Sequence, residues 1–187
     1  GEGDAINVLG DFDTNNYNVT VFGDCFIDPA SSVSCYNKTV DGRGVWINAS
    51  GNIYVREDSL IDGSGLGFPN KTGPGTSGSL GAAHAGLGSS GSAEIYGDES
   101  APLSLGSGGN YGKGGSAIRL SSSGTVDIDG NIYMNPDANE RSGSGGSIWI
   151  DAVNVTGDGF LDADGSEGQP FPGGAGRIAL TASSLDF

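Results

Sequence analysis

The sequence is poor in the residues that carry most catalytic and metal-binding chemistry. Its only histidine, His84, excludes histidine-based catalytic triads and sites built from several histidines. We interpret His84 as a hydrogen-bond donor in a loop, and the single methionine, Met134, as a core or turn filler. Only eight Lys and Arg residues face 23 Asp and Glu, for a net charge of −15. Such a chain repels nucleic acid and anionic membranes, so we expect neither as a partner.

Long apolar runs and helical patterns are also missing from the sequence. No stretch of about twenty apolar residues occurs, so we expect no membrane insertion. No ten-residue window carries apolar residues at the i, i+3, i+4, i+7 spacing of an amphipathic helix. The chain begins at Gly1 without a methionine or a secretory leader, and we therefore expect a processed chain or a segment of a larger one.

The sequence is instead rich in glycine, with 36 residues, and it contains a repeated pattern. Two apolar positions recur every 30 residues: Ile118, Ile148 and Ile178 at the first, and Leu120, Ile150 and Leu180 at the second. An earlier copy aligns Ile47 with Leu120, which also places Ile53 opposite Val126. A further match, at Val155, needs a slip of one residue. Periods of 20 to 50 residues are typical of stacked repeats that share one core.

Within each copy, apolar and polar residues alternate with a period of two, which indicates strands rather than helices. Strands bounded by Gly, Asn and Asp and repeated every 30 residues predict an all-β parallel β-helix with coils of about 30 residues. The alternative is an antiparallel sandwich with glycine-rich loops. The fixed repeat favours the β-helix, because a sandwich has no reason to repeat at a constant interval.

The pattern divides the chain into two regions. Residues 1–42 are less repetitive, and we predict an N-terminal cap or connecting arm there. Residues 43–187 form the predicted β-helix, interrupted over 67–115 by a Gly/Ser-rich insertion with one short strand candidate at 92–97. The insertion is either a mobile linker or a set of packed glycine-rich rungs, and we expect it to be packed.

Two features point to an oxidising compartment. Cys25 and Cys35 would form one short-loop disulfide there, and would be two free thiols in the cytosol. Five Asn-x-Ser/Thr sequences favour the first case and predict N-linked glycans; they begin at Asn18, Asn37, Asn48, Asn70 and Asn154. Strand alternation turns Asn48 and Asn154 outward, where a glycan fits. We therefore predict an extracellular or cell-surface glycoprotein.

Acidic clusters are the only candidates for an enzymatic or metal site. Asp127 and Asp129 form one pair, and Asp162, Asp164 and Glu167 form a second group. Such carboxylates serve as general acid and base, or as Ca²⁺ ligands, but they also cap turns before glycine. Elimination from a polysaccharide would need a nearby cation, and only Lys113 and Arg119 are close in sequence. We predict no enzyme and no cofactor, with Ca²⁺ at Asp162, Asp164 and Glu167 as the one possible exception.

One outward column of the predicted sheet is aromatic. The residues before the aligned inward positions are Trp46, Arg119, Trp149 and Ala179. In one interpretation they shield the strand surface, with Arg119 against Trp149 as a cation–π contact. In the other they form an exposed patch that docks a glycan or another subunit.

Four segments carry a resemblance to a known kind of module: "YGDESAPLSLGSGG" (96–109), "GGSAIRLSSSGTVDIDGNI" (114–132), "GSGGSIWI" (143–150) and "GGAGRIAL" (173–180). In this order they resemble the glycine-rich repeat modules of large secreted or surface proteins of protists, algae and plants. The resemblance covers about residues 80–182. It implies a right-handed β-helix with a structural or adhesive extracellular role, and it implies no catalytic residues.

Three functions therefore remain in competition. The first is a structural subunit of an extracellular fibril or surface layer that assembles with copies of itself. The second is a carbohydrate-binding or adhesive module, and the third is a β-helical polysaccharide-degrading enzyme. We favour the first, because β-helix ends expose strand edges that pair with another chain, and a head-to-tail contact generates a filament. On this hypothesis residues 1–42 pair with the C-terminal coil of the next molecule, and their deletion leaves soluble monomers.

Overall fold

The computed structural model describes residues 5–35, 41–76, 80–90, 93–137, 143–167 and 171–187. Within these ranges the chain forms sixteen strands of three to six residues and one short 3-10 helix, Gly88–Ser90. Strands this short follow from a sequence in which glycine or another turn residue interrupts every apolar run.

The strands follow one another in groups of three, one group for each coil of the chain. The first coil holds β1 (Ile6–Val8), β2 (Asp11–Asp13) and β3 (Val19–Val21). The second holds β4 (Cys25–Ile27), β5 (Ser32–Ser34) and β6 (Val45–Ala49). The third holds β7 (Ile53–Val55), β8 (Leu60–Asp62) and, after the insertion, β9 (Ala117–Ser122). The fourth holds β10 (Thr125–Ile128), β11 (Asn131–Tyr133) and β12 (Ser147–Asp151). The fifth holds β13 (Asn154–Thr156), β14 (Phe160–Asp162) and β15 (Arg177–Thr181), and β16 (Ser184–Asp186) begins a sixth.

Every third strand joins the same sheet, and all neighbouring strands in the three sheets are parallel. Sheet A has the order β1-β4-β7-β10-β13-β16. Sheet B has the order β2-β5-β8-β11-β14, and sheet C the order β3-β6-β9-β12-β15. This arrangement is a parallel β-helix with three sheets, as the sequence predicts.

The predicted register is confirmed. On sheet C, Ile47 pairs with Leu120, which pairs with Ile150, and Ile150 pairs with Leu180. On sheet A, Val126 pairs with both Ile53 and Val155. The slip of one residue is accommodated at the corner between the sheets, because β9 is one residue longer than β12.

The core is a narrow stack of inward side chains from all three sheets. Ile53, Ile61, Ile118 and Ile150 are fully buried, and so is Met134, which confirms its interpretation as a filler. Burying an isoleucine side chain contributes about 1.5–3 kcal/mol. Polar side chains satisfy the backbone at the corner between sheets C and A. There, the Thr125 N–H donates to Asn52 Oδ1 over 2.8 Å, and the Asn52 N–H donates to Asp24 Oδ1 over 2.7 Å.

The region predicted as a cap or arm, residues 1–42, contains β1 to β5. These strands join all three sheets in register; for example, Ile6 pairs with Cys25, and Cys25 pairs with Ile53. The sheets therefore run across the predicted boundary between residues 42 and 43. The N-terminal region is less regular in sequence than the rest, but its described part has the same fold.

The predicted disulfide is absent from the structure: Cys25 and Cys35 are both free thiols and both buried. Cys25 lies on sheet A, whereas Cys35 follows β5 on sheet B, so a corner of the coil separates them. Each fills the core as a small apolar side chain. Burial raises the pKa of Cys25 to about 11. Burial, with the nearby charges of Asp62 and Asp13, also raises the pKa of Cys35.

The described part of the insertion is packed against the coils, as expected, and glycine makes this possible. The Gly67 N–H donates to Gly114 O, and the Gly106 N–H donates to Gly115 O, each over 2.8 Å. A Cβ on Gly114 would overlap the carbonyl oxygen of Gly106, so the two backbones approach closely only without side chains. The strand predicted over 92–97 is wrong in its described part, because residues 93–97 form bends and irregular backbone. Tyr96 bonds within the insertion instead, through its N–H to His84 O and its hydroxyl to Leu105 O, and its carbonyl accepts from the Arg177 side chain.

Candidate functional site: an arginine–tryptophan ladder

Sheet C carries the predicted aromatic column on its outer face. Trp46 on β6, Arg119 on β9 and Trp149 on β12 occupy paired positions on three neighbouring strands. Their inward neighbours Ile47, Leu120 and Ile150 are buried, and the three side chains themselves are half-buried. We call these three residues the arginine–tryptophan ladder.

The guanidinium of Arg119 lies between the two indoles. Its central carbon is 4.1 Å from the ring centroid of Trp149 and 5.5 Å from that of Trp46. The predicted contact between Arg119 and Trp149 is therefore present. Cation–π contacts of this kind contribute about 0.5–2 kcal/mol, more when they are desolvated.

Two polar contacts in the ladder were missed by sequence reasoning. Arg119 Nη2 forms an ion pair with the carboxylate of Asp151, and Trp149 Nε1 donates to Thr181 Oγ1 over 3.3 Å. Asp151 lies two residues after Trp149, on the same outer face of β12. Once the register of β9 and β12 is known, the sequence places this acid beside Arg119, so the ion pair could have been predicted. The ion pair with Asp151 adds a polar contact to the two aromatic contacts of Arg119.

A second aromatic group lies on sheet A and was not predicted. The rings of Phe26 and Tyr54 stack with centroids 4.8 Å apart and planes 6° from parallel. Arg56 covers both rings, at 5.3 Å from Phe26 and 4.7 Å from Tyr54. Phe26 and Tyr54 are paired on β4 and β7, in the same register as Cys25 and Ile53, which pair in the core. Two outer faces of the β-helix thus use the same chemistry of stacked rings and an arginine.

His84 lies in the insertion and is fully buried, with its ring stacked on Tyr96 at 4.6 Å. Its Nδ1 is 2.8 Å from Gly145 O, and since a carbonyl only accepts, Nδ1 carries the proton. The prediction of a hydrogen-bond donor is therefore confirmed, and the partner lies in the fourth coil, just before β12. Burial lowers the pKa of His84 to about 4, and the charge of Arg177 acts in the same direction.

The acidic residues singled out in the sequence cap turns or bond to neighbouring strands. Asp127 accepts a hydrogen bond from Thr156 Oγ1 over 2.6 Å, whereas Asp129 is exposed. Asp162 accepts from Asn135 Nδ2 over 2.8 Å and from the Asp164 N–H over 3.1 Å, so it caps its own turn.

The predicted calcium ligands, Asp162, Asp164 and Glu167, line one open cleft of about 310 Å³. Among the described residues, no group of three or more His, Cys, Asp or Glu side chains is arranged to hold a metal ion. Calcium binding stays a prediction.

Four of the five predicted glycosylation sites lie in described residues, and Asn37 lies outside them. Asn18 and Asn70 are exposed, whereas Asn48 and Asn154 are half-buried on the outer faces of β6 and β13. The side chain of Asn154 donates to Thr125 Oγ1 over 3.4 Å.

A cleft of about 360 Å³ adjoins one end of the arginine–tryptophan ladder. Its lining includes Tyr17, Asn18, Asp41, Arg43 and Trp46. Sequence reasoning missed it, because residues from the first two coils meet there only after the chain has turned. Aromatic and polar side chains around one concavity are typical of small-molecule sites.

No protein-family model, curated protein or solved structure matches the chain. The described residues include no helix of the length and apolarity needed to cross a membrane.

Proposed function

We propose that the chain is a structural module of an extracellular glycoprotein fibril or surface layer, assembled head to tail through the ends of the β-helix. The observation that carries this proposal is the chemistry of the two end coils. At both ends of the described stack, strands have a partner on one edge only, and apolar side chains are exposed beside that edge. Unpaired strand edges are templates for pairing with another chain.

The first coil offers a concave apolar surface. A cleft of about 360 Å³ reaches into the core there, and its lining includes Ile6, Val8, Phe12, Val19 and Cys25. The last coil exposes apolar residues as well: Phe160, Ile178, Leu185 and Phe187. Both surfaces are apolar and lie next to unpaired backbone, so each can bury the other and pair with its strands. Such a contact is heterologous and continues into a filament.

Charge opposes this contact. Asp11 and Asp13 are exposed on β2, at the first end, and Asp158, Asp164 and Asp186 are exposed near the last. Repulsion between exposed acids falls when salt shortens the Debye length, which is about 30 Å at 0.01 M and 8 Å at 0.15 M. We therefore expect monomers at low ionic strength and filaments at physiological ionic strength.

Sedimentation and electron microscopy of the purified chain in low and physiological salt test the proposal. The breaking variant is Leu185→Glu, which adds a further negative charge to an exposed end strand, where Leu185 is 57% exposed. The matched control is Ile95→Glu, which makes the same change at a 52% exposed site in the insertion. Only the first should prevent filaments; a wild type that stays monomeric at high concentration, or a Leu185→Glu variant that still polymerises, contradicts the proposal. Deleting residues 1–42 is a poorer test, because it also removes β1 to β5.

Secretion and N-linked glycosylation belong to the same proposal. Its support is the outward placement of Asn18, Asn48, Asn70 and Asn154 on the described surface. We propose no catalytic role, since Asp127 and Asp162 accept hydrogen bonds from neighbouring strands and turns. Expression through a eukaryotic secretory pathway should give a mass that falls on enzymatic deglycosylation, and an unchanged mass contradicts this part.

A carbohydrate-binding module is the second candidate, and one observation favours it. The cleft beside Trp46 combines an indole, a phenol and several planar polar side chains. Binding of free sugars to unglycosylated protein tests this candidate.

A further inference from the structure

The arginine–tryptophan ladder ends at a glycosylation sequence. Val19 pairs with Ile47, and extending this register by one residue places Asn18 opposite Trp46. The backbone N–H of Trp46 donates to Asn18 Oδ1 over 3.0 Å. Neighbouring strands are about 4.8 Å apart, so Asn18 lies beside Trp46 at the distance at which Arg119 lies on the other side. The outer column of sheet C therefore reads Asn18, Trp46, Arg119, Trp149.

The cleft at this end has an unsatisfied acceptor. Oδ1 of Asn16, which lines the cleft, is buried and has no hydrogen-bond partner among the described residues. A buried acceptor without a donor costs about 1–3 kcal/mol, so a ligand that donates to it binds favourably. Arg43 and Asp41 are exposed on the same wall and offer a donor and an acceptor. Tyr17, 67% exposed, adds a second aromatic ring.

This combination matches the chemistry of a pyranose. A pyranose has an apolar face of C–H groups that stacks on an aromatic ring, and an edge of hydroxyl groups that donate and accept hydrogen bonds. Ligand sites commonly measure about 300–1,000 Å³, so a cleft of about 360 Å³ suits one or two sugar residues.

Asn18 itself supplies a source for that sugar. It begins the sequence Asn18-Val19-Thr20, and both Asn18 and Thr20 are exposed. N-linked glycosylation modifies Nδ2 and leaves Oδ1 as an acceptor, so the hydrogen bond from Trp46 survives the modification. That bond also fixes the amide at the mouth of the cleft.

We propose that the cleft beside Trp46 holds the first sugar of an N-linked glycan on Asn18, stacked on the indole as the next member of the ladder. The proposal rests on the glycoprotein assignment above. A free glycan has the same chemistry, and the experiment separates the two sources.

The test uses protein secreted by a eukaryotic host, with site occupancy measured by mass spectrometry. Native peptide N-glycosidase should release the Asn18 glycan at least about tenfold more slowly than the glycan on exposed Asn70, because a seated sugar hides its linkage. Trp46→Ala should remove this difference, and the matched control Trp149→Ala should retain it. NMR of the wild-type glycoprotein supplies a second readout that needs no variant: sugar protons on Asn18 should be shifted upfield by the indole ring current.

Several outcomes overturn the proposal. Equal release rates at Asn18 and Asn70, or sugar protons at their unshifted positions, show that the glycan is not seated. Occupancy of Asn70 without Asn18 overturns this inference and leaves the glycoprotein assignment standing, whereas no occupancy at any site overturns both. Finally, the wild-type glycoprotein with Asn18 occupied is titrated with N-acetylglucosamine. Saturable shifts of the Trp46 resonance there show that the cleft is empty, and they assign it to an external sugar instead.

Discussion

The stack of sheet C and the glycine-rich insertion are held together in opposite ways. Sheet C aligns large apolar side chains in register, and Ile118, Ile148 and Ile150 are fully buried in it. The insertion has few such side chains, and glycine backbones bond directly to one another across it. Apolar stacking depends on buried area and tolerates small shifts, whereas bonded backbones demand close approach at defined positions. We therefore expect the stack to be most sensitive to the loss of buried side-chain atoms, and the insertion to be sensitive to the addition of atoms.

The largest effect should come from a cavity in the apolar stack. Ile150→Ala removes a fully buried side chain from β12, an interior strand of sheet C, and should lower the free energy of unfolding by about 2–5 kcal/mol. The matched control, Ile178→Ala, lies on the end strand β15 and is 45% exposed. It should cost less than half as much in chemical denaturation. Equal costs would show that the end coil is as tightly packed as the centre.

The next largest effect should be a dependence of the stability on pH, which arises from His84 in the insertion. The pKa of His84 is lowered to about 4 by burial, against 6.5 in the unfolded chain. Below pH 6.5 the unfolded chain binds a proton that the folded chain does not, so stability falls until about pH 4 and then levels. The loss is about 3 kcal/mol in all, of which about 2 kcal/mol arises above pH 5.

His84→Asn is the control for this pH dependence, because its side-chain amide keeps a donor for Gly145 O without titrating in this range. Unfolding measured from pH 7 to pH 5 should show a smaller slope in the variant than in the wild type. The same slope in both would place the titrating group elsewhere.

A smaller effect should come from adding one carbon to the insertion. Gly114→Ala places a Cβ against Gly106 O and should cost about 1–3 kcal/mol through local displacement. Hydrogen exchange should accelerate at the amides of Gly67 and Gly106, which bond across this contact, and stay unchanged at β12. Accelerated exchange throughout β12 would mean that insertion and stack unfold as one unit.

The smallest effect concerns the outer face of the stack. Arg119→Lys keeps the charge but loses the flat guanidinium between the indoles, and should cost about 0.5–1.5 kcal/mol. Arg56→Lys is the control, because Arg56 covers two stacked rings but has no ion pair within the described residues. Denaturation should show the smaller loss for Arg56→Lys. A reversed order would mean that a flat guanidinium beside Asp151 adds nothing beyond the charge that lysine retains.

Sequence reasoning succeeded where a side chain repeats at a constant interval. The pairings of Ile47, Leu120 and Ile150 could be predicted, since each coil must place one apolar residue inward at the same point. The outward neighbours Trp46, Arg119 and Trp149 then follow from the alternation of a strand.

Sequence reasoning failed where contacts depend on how coils of unequal length meet. The Gly145 partner of His84 lies 61 residues away and across an insertion without a repeat. The short separation of Cys25 and Cys35 suggested a bond, but the corner between β4 and β5 separates them onto different sheets. The cleft beside Trp46 joins residues from two coils and leaves no pattern in either.

The parallel order of every sheet has a mechanical consequence. Hydrogen bonds between coils run along the axis of the β-helix, so tension between its ends pulls on one short strand after another rather than on a whole sheet. A coil of about 30 residues adds only about 4.8 Å to the folded length, but it releases about 100 Å of chain when it is pulled out. Each coil that is pulled out thus becomes about twentyfold longer, and the protein behaves under tension as an extensible tether that yields coil by coil.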